Sequence, residues 1–154
     1  KPLVAGTFQL NIHMPKSDID ILVSDHNFDL MKKSIIENFG NHPNFLCNEI
    51  LVQDEKTILA SFTHQGKDFE IFGQQTPSVK QRGYLHFLAE VGLLKLSGPL
   101  IMEKFKEARK QGLKTEEAFA KVLKLNGDPY EELLAVQKMS NDALKTLLAK
   151  SVIE

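Results

Sequence analysis

The sequence contains a single cysteine, Cys47, which excludes an intramolecular disulfide as a source of stability. Because Cys47 lies in an apolar, strand-like stretch, we interpret it as an inert thiol in a reducing, cytoplasmic compartment. Long hydrophobic runs are also missing, since no stretch of ~18 apolar residues predicts a transmembrane helix. The start of the chain lacks a signal-peptide pattern. We therefore expect a cytoplasmic protein without a membrane partner.

Several kinds of chemistry are absent as well. The five histidines lack the spacing of zinc ligands, and no serine or cysteine lies in a nucleophile-elbow context. Basic residues form neither a stripe nor an alternation with aromatic residues, so an extended nucleic-acid groove is not expected. A length of 154 residues suits one compact unit, or a small α/β core with a helical appendage, rather than a templated polymerase.

The charge is distributed unevenly along the chain. Residues 1–79 contain six lysines and no arginine against ten acidic residues. Residues 80–154 contain eleven lysines and two arginines against ten acidic residues. An acidic half that faces a mildly basic half would suit a metal–nucleotide substrate, although differences of this size also arise by chance.

Two carboxylates separated by one apolar residue, Asp18 and Asp20, lie in a β-branched run. Alternate side chains of a strand share a face, so both aspartates are expected on one face, roughly 6.6 Å apart. That spacing allows them to bind one divalent ion together, or two ions ~3.5–4 Å apart. A solvated aspartate at the start of a strand is the alternative interpretation.

A glycine–hydroxyl pair precedes the aspartates. A short apolar strand at residues 3–5 ends in Gly6 and Thr7. Glycine lets the backbone approach a ligand closely, and amides with a hydroxyl in such a turn suit phosphate oxygens. The alternative is an ordinary strand-to-helix turn.

A third acidic segment follows at residues 66–73. Alternation places Asp68, Glu70 and Phe72 on one face of a predicted strand. A glutamate between Phe69 and Ile71 in the middle of a strand would bury its charge, which costs free energy unless a partner group pairs with it. A metal shared with the two aspartates would be that partner, and an edge strand with a solvated polar face is the alternative.

Hydrophobic periodicity predicts the remaining elements. A helix is predicted after the aspartate strand and ends at Gly40. Three strands are then predicted as an antiparallel meander, at residues 45–52, 57–63 and 67–72. The last of these strands brings Glu70 back beside the aspartates. Five helices then follow, with starts at Tyr84, Pro99, Thr115 as a cap, Asp128 and Ser140. The predicted domains are an α/β core at residues 1–78 and a helical lobe at residues 79–154, packed on the core, to which we assign no chemistry.

Together the three motif segments resemble the nucleotidyltransferase superfamily, the DNA polymerase beta-like group. The pattern of this group begins with an apolar strand that ends in Gly-Ser, which corresponds here to Val4-Ala5-Gly6-Thr7. An Asp-apolar-Asp strand follows, here Ser17-Asp18-Ile19-Asp20-Ile21. A later apolar-acid-apolar strand corresponds to Phe69-Glu70-Ile71. The whole chain also resembles a bacterial family of unknown function within this group, with comparable Gly-Thr, Ser-Asp-x-Asp, Glu-x-Phe-Gly-Gln and Lys-Thr-Glu…Gly-Asp-Pro-Tyr segments.

Two departures from the superfamily pattern accompany this resemblance. Thr7 stands where serine is usual, and it keeps the hydroxyl. The sequence begins at Lys1 without a methionine, whereas relatives usually carry a helix before the first strand. We therefore expect the natural chain to have a further segment ahead of Lys1.

The resemblance implies an α/β (α+β) fold with a mixed or antiparallel sheet, flanking helices and a C-terminal helical lobe. It implies a Mg²⁺-dependent nucleotidyltransferase that moves a nucleoside monophosphate from an NTP to an unknown hydroxyl acceptor on a small molecule, protein or RNA, with release of pyrophosphate. The catalytic residues, which would also bind Mg²⁺ or Mn²⁺, are Asp18, Asp20 and Glu70. The residues that would bind the nucleotide are Gly6, Thr7, Lys16 and Ser17.

Two alternatives stay open beside the transferase hypothesis. One is a catalytically inactive nucleotide-binding or regulatory, antitoxin-like protein of the same fold, and the other is a structural module whose acidic side chains are only solvated. Four residues that follow Glu70 are also placed to contact a triphosphate or base, but we interpret them as solvated loop and helix-start positions: Lys80, Arg82, Tyr84 and His86.

Overall fold

The structure, a computed structural model, describes residues 1–10, 12 and 17–152. Within these residues, five strands form one sheet in the order β1-β2-β5-β4-β3. Their bounds are Leu3–Ala5 (β1), Ile19–Ser24 (β2), Leu46–Val52 (β3), Glu55–His64 (β4) and Lys67–Gln74 (β5). Strands β2 and β5 are parallel, and the other neighbouring pairs are antiparallel. The predicted mixed α/β architecture is therefore confirmed.

The described part of the chain also contains six α-helices and a 3-10 helix at Ser78–Lys80 that periodicity did not predict. The bounds of the α-helices are Phe28–Phe39 (α1), Arg82–Leu96 (α2), Pro99–Lys110 (α3), Thr115–Leu123 (α4), Pro129–Gln137 (α5) and Asn141–Val152 (α6). None of these helices combines the length and the apolar character that crossing a bilayer requires.

Local capping chemistry explains most of the helix starts. The side chain of Asn27 accepts a hydrogen bond from the Leu30 amide at 3.0 Å at the start of α1, as expected of an N-cap asparagine. Asp128 does the same for the first amides of α5. The predicted cap of α4 is wrong by one residue: Lys114 is the N-cap, because the Glu117 carboxylate accepts from the Lys114 amide at 2.8 Å.

Helix α1 covers one face of the sheet. Its apolar residues recur at helical spacing and pack onto the inward residues of the central strands. The buried members of this core are Phe28, Met31, Ile35, Ile58, Ala60, Phe62 and Ile71. Because strand side chains alternate, the residues between the core residues of β2 and β5 point to the opposite face of the sheet.

The chain divides into two compact units, Lys1–Tyr84 and Leu85–Glu154. The first unit contains the whole sheet and α1, and the second contains α3 to α6 and most of α2. Inside the second unit the rings of Phe105 and Phe119 lie 4.2 Å apart between their centroids, and both are almost fully buried. The expected domain boundary after residue 78 and the packing of the lobe on the core stay predictions.

Candidate functional site

The parallel pairing of β2 with β5 brings two acidic residues side by side. Asp20 is the register partner of Glu70, and the same row continues to Ala5 on β1 and Ser61 on β4. Neighbouring strands lie roughly 4.8 Å apart, and register partners point to the same face. The carboxylates of Asp20 and Glu70 therefore share the face of the sheet opposite the one on which α1 packs.

Asp18 adds a third acidic group, two residues before Asp20 and exposed to solvent. Glu70 is half-buried, and burial raises the pKa of its carboxyl above the ordinary value, while the nearby Asp18 carboxylate raises that pKa further. No cation among the described residues pairs with Glu70. Ionised Glu70 is thus a costly group that a bound cation would stabilise.

Gly6 lies directly against Asp20. Its φ angle is +80°, in the left-handed region that favours glycine, and a Cβ atom built there would stand 1.9 Å from Oδ2 of Asp20. Any larger residue would have to displace the carboxylate. The glycine is therefore required both by the bend of the chain and by the close approach of Asp20.

Thr7 continues the turn after Gly6. Its carbonyl oxygen accepts from the amides of Leu10 at 3.2 Å and Ile12 at 3.4 Å. The residue is only 8% exposed. A hydroxyl in such a turn can donate a hydrogen bond to a phosphate oxygen.

The structure thus brings Gly6, Thr7, Asp18, Asp20 and Glu70 to the same end of the sheet. The half-buried Ser17 immediately precedes Asp18, and Lys16 lies outside the described residues. The functional roles of all seven residues stay predictions.

Asp68, which shares the predicted face with Glu70, is engaged by the protein itself. The Thr63 hydroxyl donates to the Asp68 carboxylate at 2.7 Å, and the Asn44 amide nitrogen donates to that hydroxyl at 3.1 Å. Asp68 is exposed, as the interpretation of a solvated polar face expected, but the edge strand of that interpretation is wrong, because β5 is the central strand of the sheet.

The interpretation of His86 as a solvated residue is wrong. His86 is 5% exposed in the helical unit, where its Nε2 lies 2.9 Å from the Tyr130 carbonyl oxygen and its Nδ1 lies 3.5 Å from Oε1 of Glu116. These partners come from two distant helices, so local sequence carried no signal for them. Cys47 is half-buried, and burial raises the pKa of its thiol, in keeping with an unreactive group.

The sequence reasoning assigned no role to Lys67 and Phe8. Lys67 is the first residue of β5, and its Nζ lies 5.6 Å from the centroid of the Phe8 ring. Phe8 is the residue that follows Thr7 in the sequence. The available signal was the position of Lys67 three residues before Glu70. Strand alternation assigned it to the other face, and nothing in the sequence linked it to Phe8.

The donor set fits a hard cation, because carboxylate oxygens are the ligands that Mg²⁺ and Mn²⁺ prefer. The close approach of Gly6 to Asp20 and the raised pKa of Glu70 agree with that chemistry. Within residues 1–10, 12 and 17–152, however, no three His, Cys, Asp or Glu side chains stand close enough to form a ready-made metal cluster.

Two solved structures of the Cid1 poly(U) polymerase are similar to this chain. The structure with Mg and 3'-dATP matches with a TM-score of 0.53 and 13% sequence identity, over 86% of this chain and 40% of the polymerase. The MgGTP-bound structure matches with a TM-score of 0.53 and 14% identity, over 86% of this chain and 41% of the polymerase. This chain therefore spans about two fifths of the polymerases that it matches.

The fold of the chain is similar to that of these polymerases, and the nucleotidyltransferase-like mixed α/β fold expected from the motifs is confirmed. Within that fold the chain belongs to the family described as Domain of unknown function (DUF4269), whose model matches residues 1–136. No curated protein matches the sequence.

Proposed function

We propose that this protein is a Mg²⁺-dependent nucleotidyltransferase that transfers a nucleoside monophosphate from an NTP to a hydroxyl acceptor and releases pyrophosphate. The observation that carries the proposal is the parallel register in which Asp20 and Glu70 share one sheet face. Asp18 is near enough to raise the pKa of Glu70, and the bend at Gly6 lies against Asp20.

In this proposal Asp18, Asp20 and Glu70 hold Mg²⁺, or Mn²⁺ in its place. The ion, when bound, neutralises phosphate charge and lowers the pKa of the attacking hydroxyl. The residues that bind the phosphates are Gly6, Thr7, Lys16 and Ser17. The hydroxyl of Thr7 supports this role, because it offers a donor next to the bend at Gly6.

Glu70 is the residue to which we assign proton removal. The acceptor oxygen attacks the α-phosphorus and forms a new P–O bond, and the bond from that phosphorus to the oxygen bridging to the β-phosphorus breaks. The hydroxyl proton passes to the Glu70 carboxylate, and pyrophosphate leaves with the electron pair of the broken bond. A carboxyl group whose pKa is raised towards neutrality is a better proton acceptor than an ordinary one.

The comparisons support the substrate class by analogy. The polymerase structures contain magnesium with 3'-dATP or GTP, so we extend Mg²⁺ and an NTP to this chain as part of the proposal. A cytoplasmic location is proposed for the protein.

Thermal unfolding tests the binding step. Titration of Mg²⁺ with each of the four common NTPs should raise the Tm of the wild type by about 5 °C at a ligand concentration near 100 times Kd. Asp20→Asn should abolish that shift, because an amide cannot replace the carboxylate as a metal ligand. Asp54→Asn is the matched control, since Asp54 lies in the turn before β4 with a φ of +63° that asparagine tolerates.

Pyrophosphate release then tests catalysis. We expect the wild type to release pyrophosphate when a suitable acceptor from cell lysate is added with Mg²⁺ and NTP, and Asp20→Asn to release none. Nucleotide stabilisation without turnover on any acceptor would favour the regulatory, antitoxin-like alternative. An Asp20→Asn variant that keeps the full Mg²⁺–NTP shift would contradict the proposed site.

A further inference from the structure

Strand β3 forms an uncovered edge of the sheet. It is the last strand in the order β1-β2-β5-β4-β3, and within the described part of the chain no other strand pairs with its outer side. Its register with β4 runs without interruption from Leu46 to Val52, so no bulge turns this edge away. The strand also lacks the proline and lysine that often protect exposed edges, whereas the opposite edge, β1, is only three residues long. The edge at β3 is therefore the one that is open to a further strand.

The hairpin between β3 and β4 determines which backbone groups of β3 point outward. Its loop consists of Gln53 and Asp54, which both have positive φ angles, as in a type I′ turn. The residues that flank such a loop form a hydrogen-bonded pair, here Val52 with Glu55, and hydrogen-bonded pairs then alternate along the strands. The amides and carbonyls that point away from β4 are thus those of Cys47, Glu49 and Leu51. A neighbouring strand is the structure that pairs with groups in this arrangement.

The side chains along this edge are largely apolar. Leu46 and Ile50, which share one face of the strand, are 63% and 37% exposed. Glu49 is the only charged residue of the strand, and it is paired with Lys32 at 2.7 Å and with Lys56 at 2.9 Å. The edge therefore presents apolar surface without an unpaired negative charge, which favours a strand of the same character as its partner.

We propose that β3 pairs in antiparallel orientation with β3 of a second copy of this chain, across a two-fold axis at Asn48, and so joins the two five-stranded sheets into one. In this register the outward amides and carbonyls of Cys47 bond to those of Glu49 of the second copy. Leu46 lies opposite Ile50 of the second copy, and Asn48 lies opposite its own counterpart, whose side-chain amide can both donate and accept. Because the contact is isologous, each apolar pair occurs twice.

Charge selects this register over its nearest alternative. Burial raises the pKa of the Cys47 thiol and the Lys32 ammonium acts to lower it, so Lys32 lies near Cys47 as well as near Glu49. With the axis at Asn48, Cys47 lies opposite Glu49 of the second copy, and the Lys32 ammonium attracts that carboxylate. A slip that moves the axis to Glu49 places the two Glu49 carboxylates opposite each other, which is destabilising. The edge is therefore complementary to itself in charge as well as in apolar surface.

Sedimentation velocity over a range of protein concentrations tests the association. The wild type should reach twice the mass of one chain as the concentration rises. Leu46→Lys should weaken the dimer at least about a hundredfold, because it places an unpaired charge opposite Ile50. The variant should fold, since this side chain is exposed in the single chain. Leu100→Lys is the matched control: Leu100 is an exposed leucine of α3, outside the sheet unit, and this variant should dimerise like the wild type.

Cysteine cross-linking tests the register. In a Cys47→Ser background, Asn48→Cys places two cysteines opposite each other with their Cα atoms about 4.5 Å apart, near enough for a disulfide under mild oxidation. Ile50→Cys in the same background places the two cysteines roughly 14 Å apart, which is too far for a disulfide. We therefore expect a covalent dimer from the first variant and at least about tenfold less of it from the second.

The results that would overturn the proposal are distinct. A wild type that stays monomeric at every concentration overturns it, and the edge is then left for a partner of another kind. A dimer that Leu46→Lys leaves intact, or that Leu100→Lys weakens equally, also overturns it, because the contact then lies elsewhere or the added charge alone explains the loss. A disulfide that forms as readily at position 50 as at position 48, or at neither, overturns the register. None of these results bears on the transferase proposal, because no residue of β3 belongs to the proposed site.

Discussion

The sheet unit and the helical unit differ in whether a half-buried acidic group has a partner within the same unit. In the helical unit Glu116 faces the imidazole of His86, which in turn contacts the Tyr130 carbonyl oxygen. In the sheet unit Glu70 lies beside Asp20 of β2 and near Asp18, and it has no cation partner within the described chain. One acidic group is satisfied by the protein, and the other is the one to which we assign a bound cation.

The pKa directions express the same contrast. Burial acts to raise the pKa of both carboxyl groups, and it is the largest contribution at each site. At Glu116 the hydrogen bond and charge of His86, with a backbone hydrogen bond and Lys114, outweigh burial and lower the pKa. At Glu70 the Asp18 carboxylate adds to burial and raises it further. The neighbours, rather than the extent of burial, decide the direction in which the pKa of such a carboxyl group shifts.

Removal of the histidine should have the largest effect on stability. His86→Leu leaves the Tyr130 carbonyl oxygen and the Glu116 carboxylate without their partner, so we expect the free energy of unfolding to fall by about 2–3 kcal/mol. The Tm shift induced by Mg²⁺–NTP should persist in the folded variant. Chemical denaturation measures the change, with the exposed His64→Leu as a control expected to stay within about 0.5 kcal/mol.

The same variant has a pH signature. Because the folded-state pKa of Glu116 is lowered, its contribution to stability is present above the unfolded value near 4.5 and is lost as the pH falls through the folded-state pKa. His86→Leu should lose this acid-sensitive contribution. A variant that unfolds in acid along the wild-type curve would show that His86 and Glu116 are not coupled.

Two glycines with similar backbone angles allow the effect of backbone strain to be measured separately from the effect of the close approach to Asp20. Gly6 has a φ of +80° and Gly66 a φ of +73°, but a Cβ at Gly66 meets no atom within 4 Å. Both alanine variants should lose about 1–2 kcal/mol from left-handed strain. Only Gly6→Ala should also lose the Mg²⁺–NTP shift, because its methyl group displaces the Asp20 carboxylate. Equal ligand responses in the two variants would contradict a site at this bend.

The smallest expected effect is a gain in stability. The raised pKa of Glu70 means that its favourable protonated form stabilises the fold below the unfolded value of about 4.5, and that this contribution is lost as the pH rises through the folded-state pKa. At neutral pH, Glu70→Gln should therefore stabilise the ligand-free protein by about 0.2–1 kcal/mol, the range for cross-strand charges. The variant should not respond to Mg²⁺–NTP.

Denaturation at a series of pH values measures this gain. Glu49→Gln is the opposite control, because hydrogen bonds from Lys32 and Lys56 lower the pKa of Glu49. That variant should be less stable than the wild type at neutral pH. A destabilised Glu70→Gln would mean that an internal partner already satisfies the glutamate.

Most of the local structure could be predicted from short stretches of sequence. Gly40 ends α1 as expected, and Pro99 and Asp128 stand at the starts of α3 and α5. These signals are local, because a cap or a proline acts on backbone groups within one turn. The cap of α4 was misplaced by one residue, since the preference of threonine for caps was outweighed by the hydrogen bond from the Lys114 amide to Glu117.

The candidate site was predicted in part. Alternation along each strand placed Asp18 with Asp20, and the motif order placed Glu70 near them, which agrees with the observed register. The burial of His86 and the contact of Lys67 with Phe8 were not predicted. Both depend on partners tens of residues away in the chain, for which periodicity carries no information.

The sequence by itself determined where the strands and helices form and which side chains share a face, because those properties follow from steric periods of two and 3.6 residues. Only the tertiary structure decided that Asp20 stands opposite Glu70, that Gly6 lies against Asp20, and that His86 meets Glu116. Strand register and helix packing are set by the burial of the whole core, and no single segment of the chain contains that information.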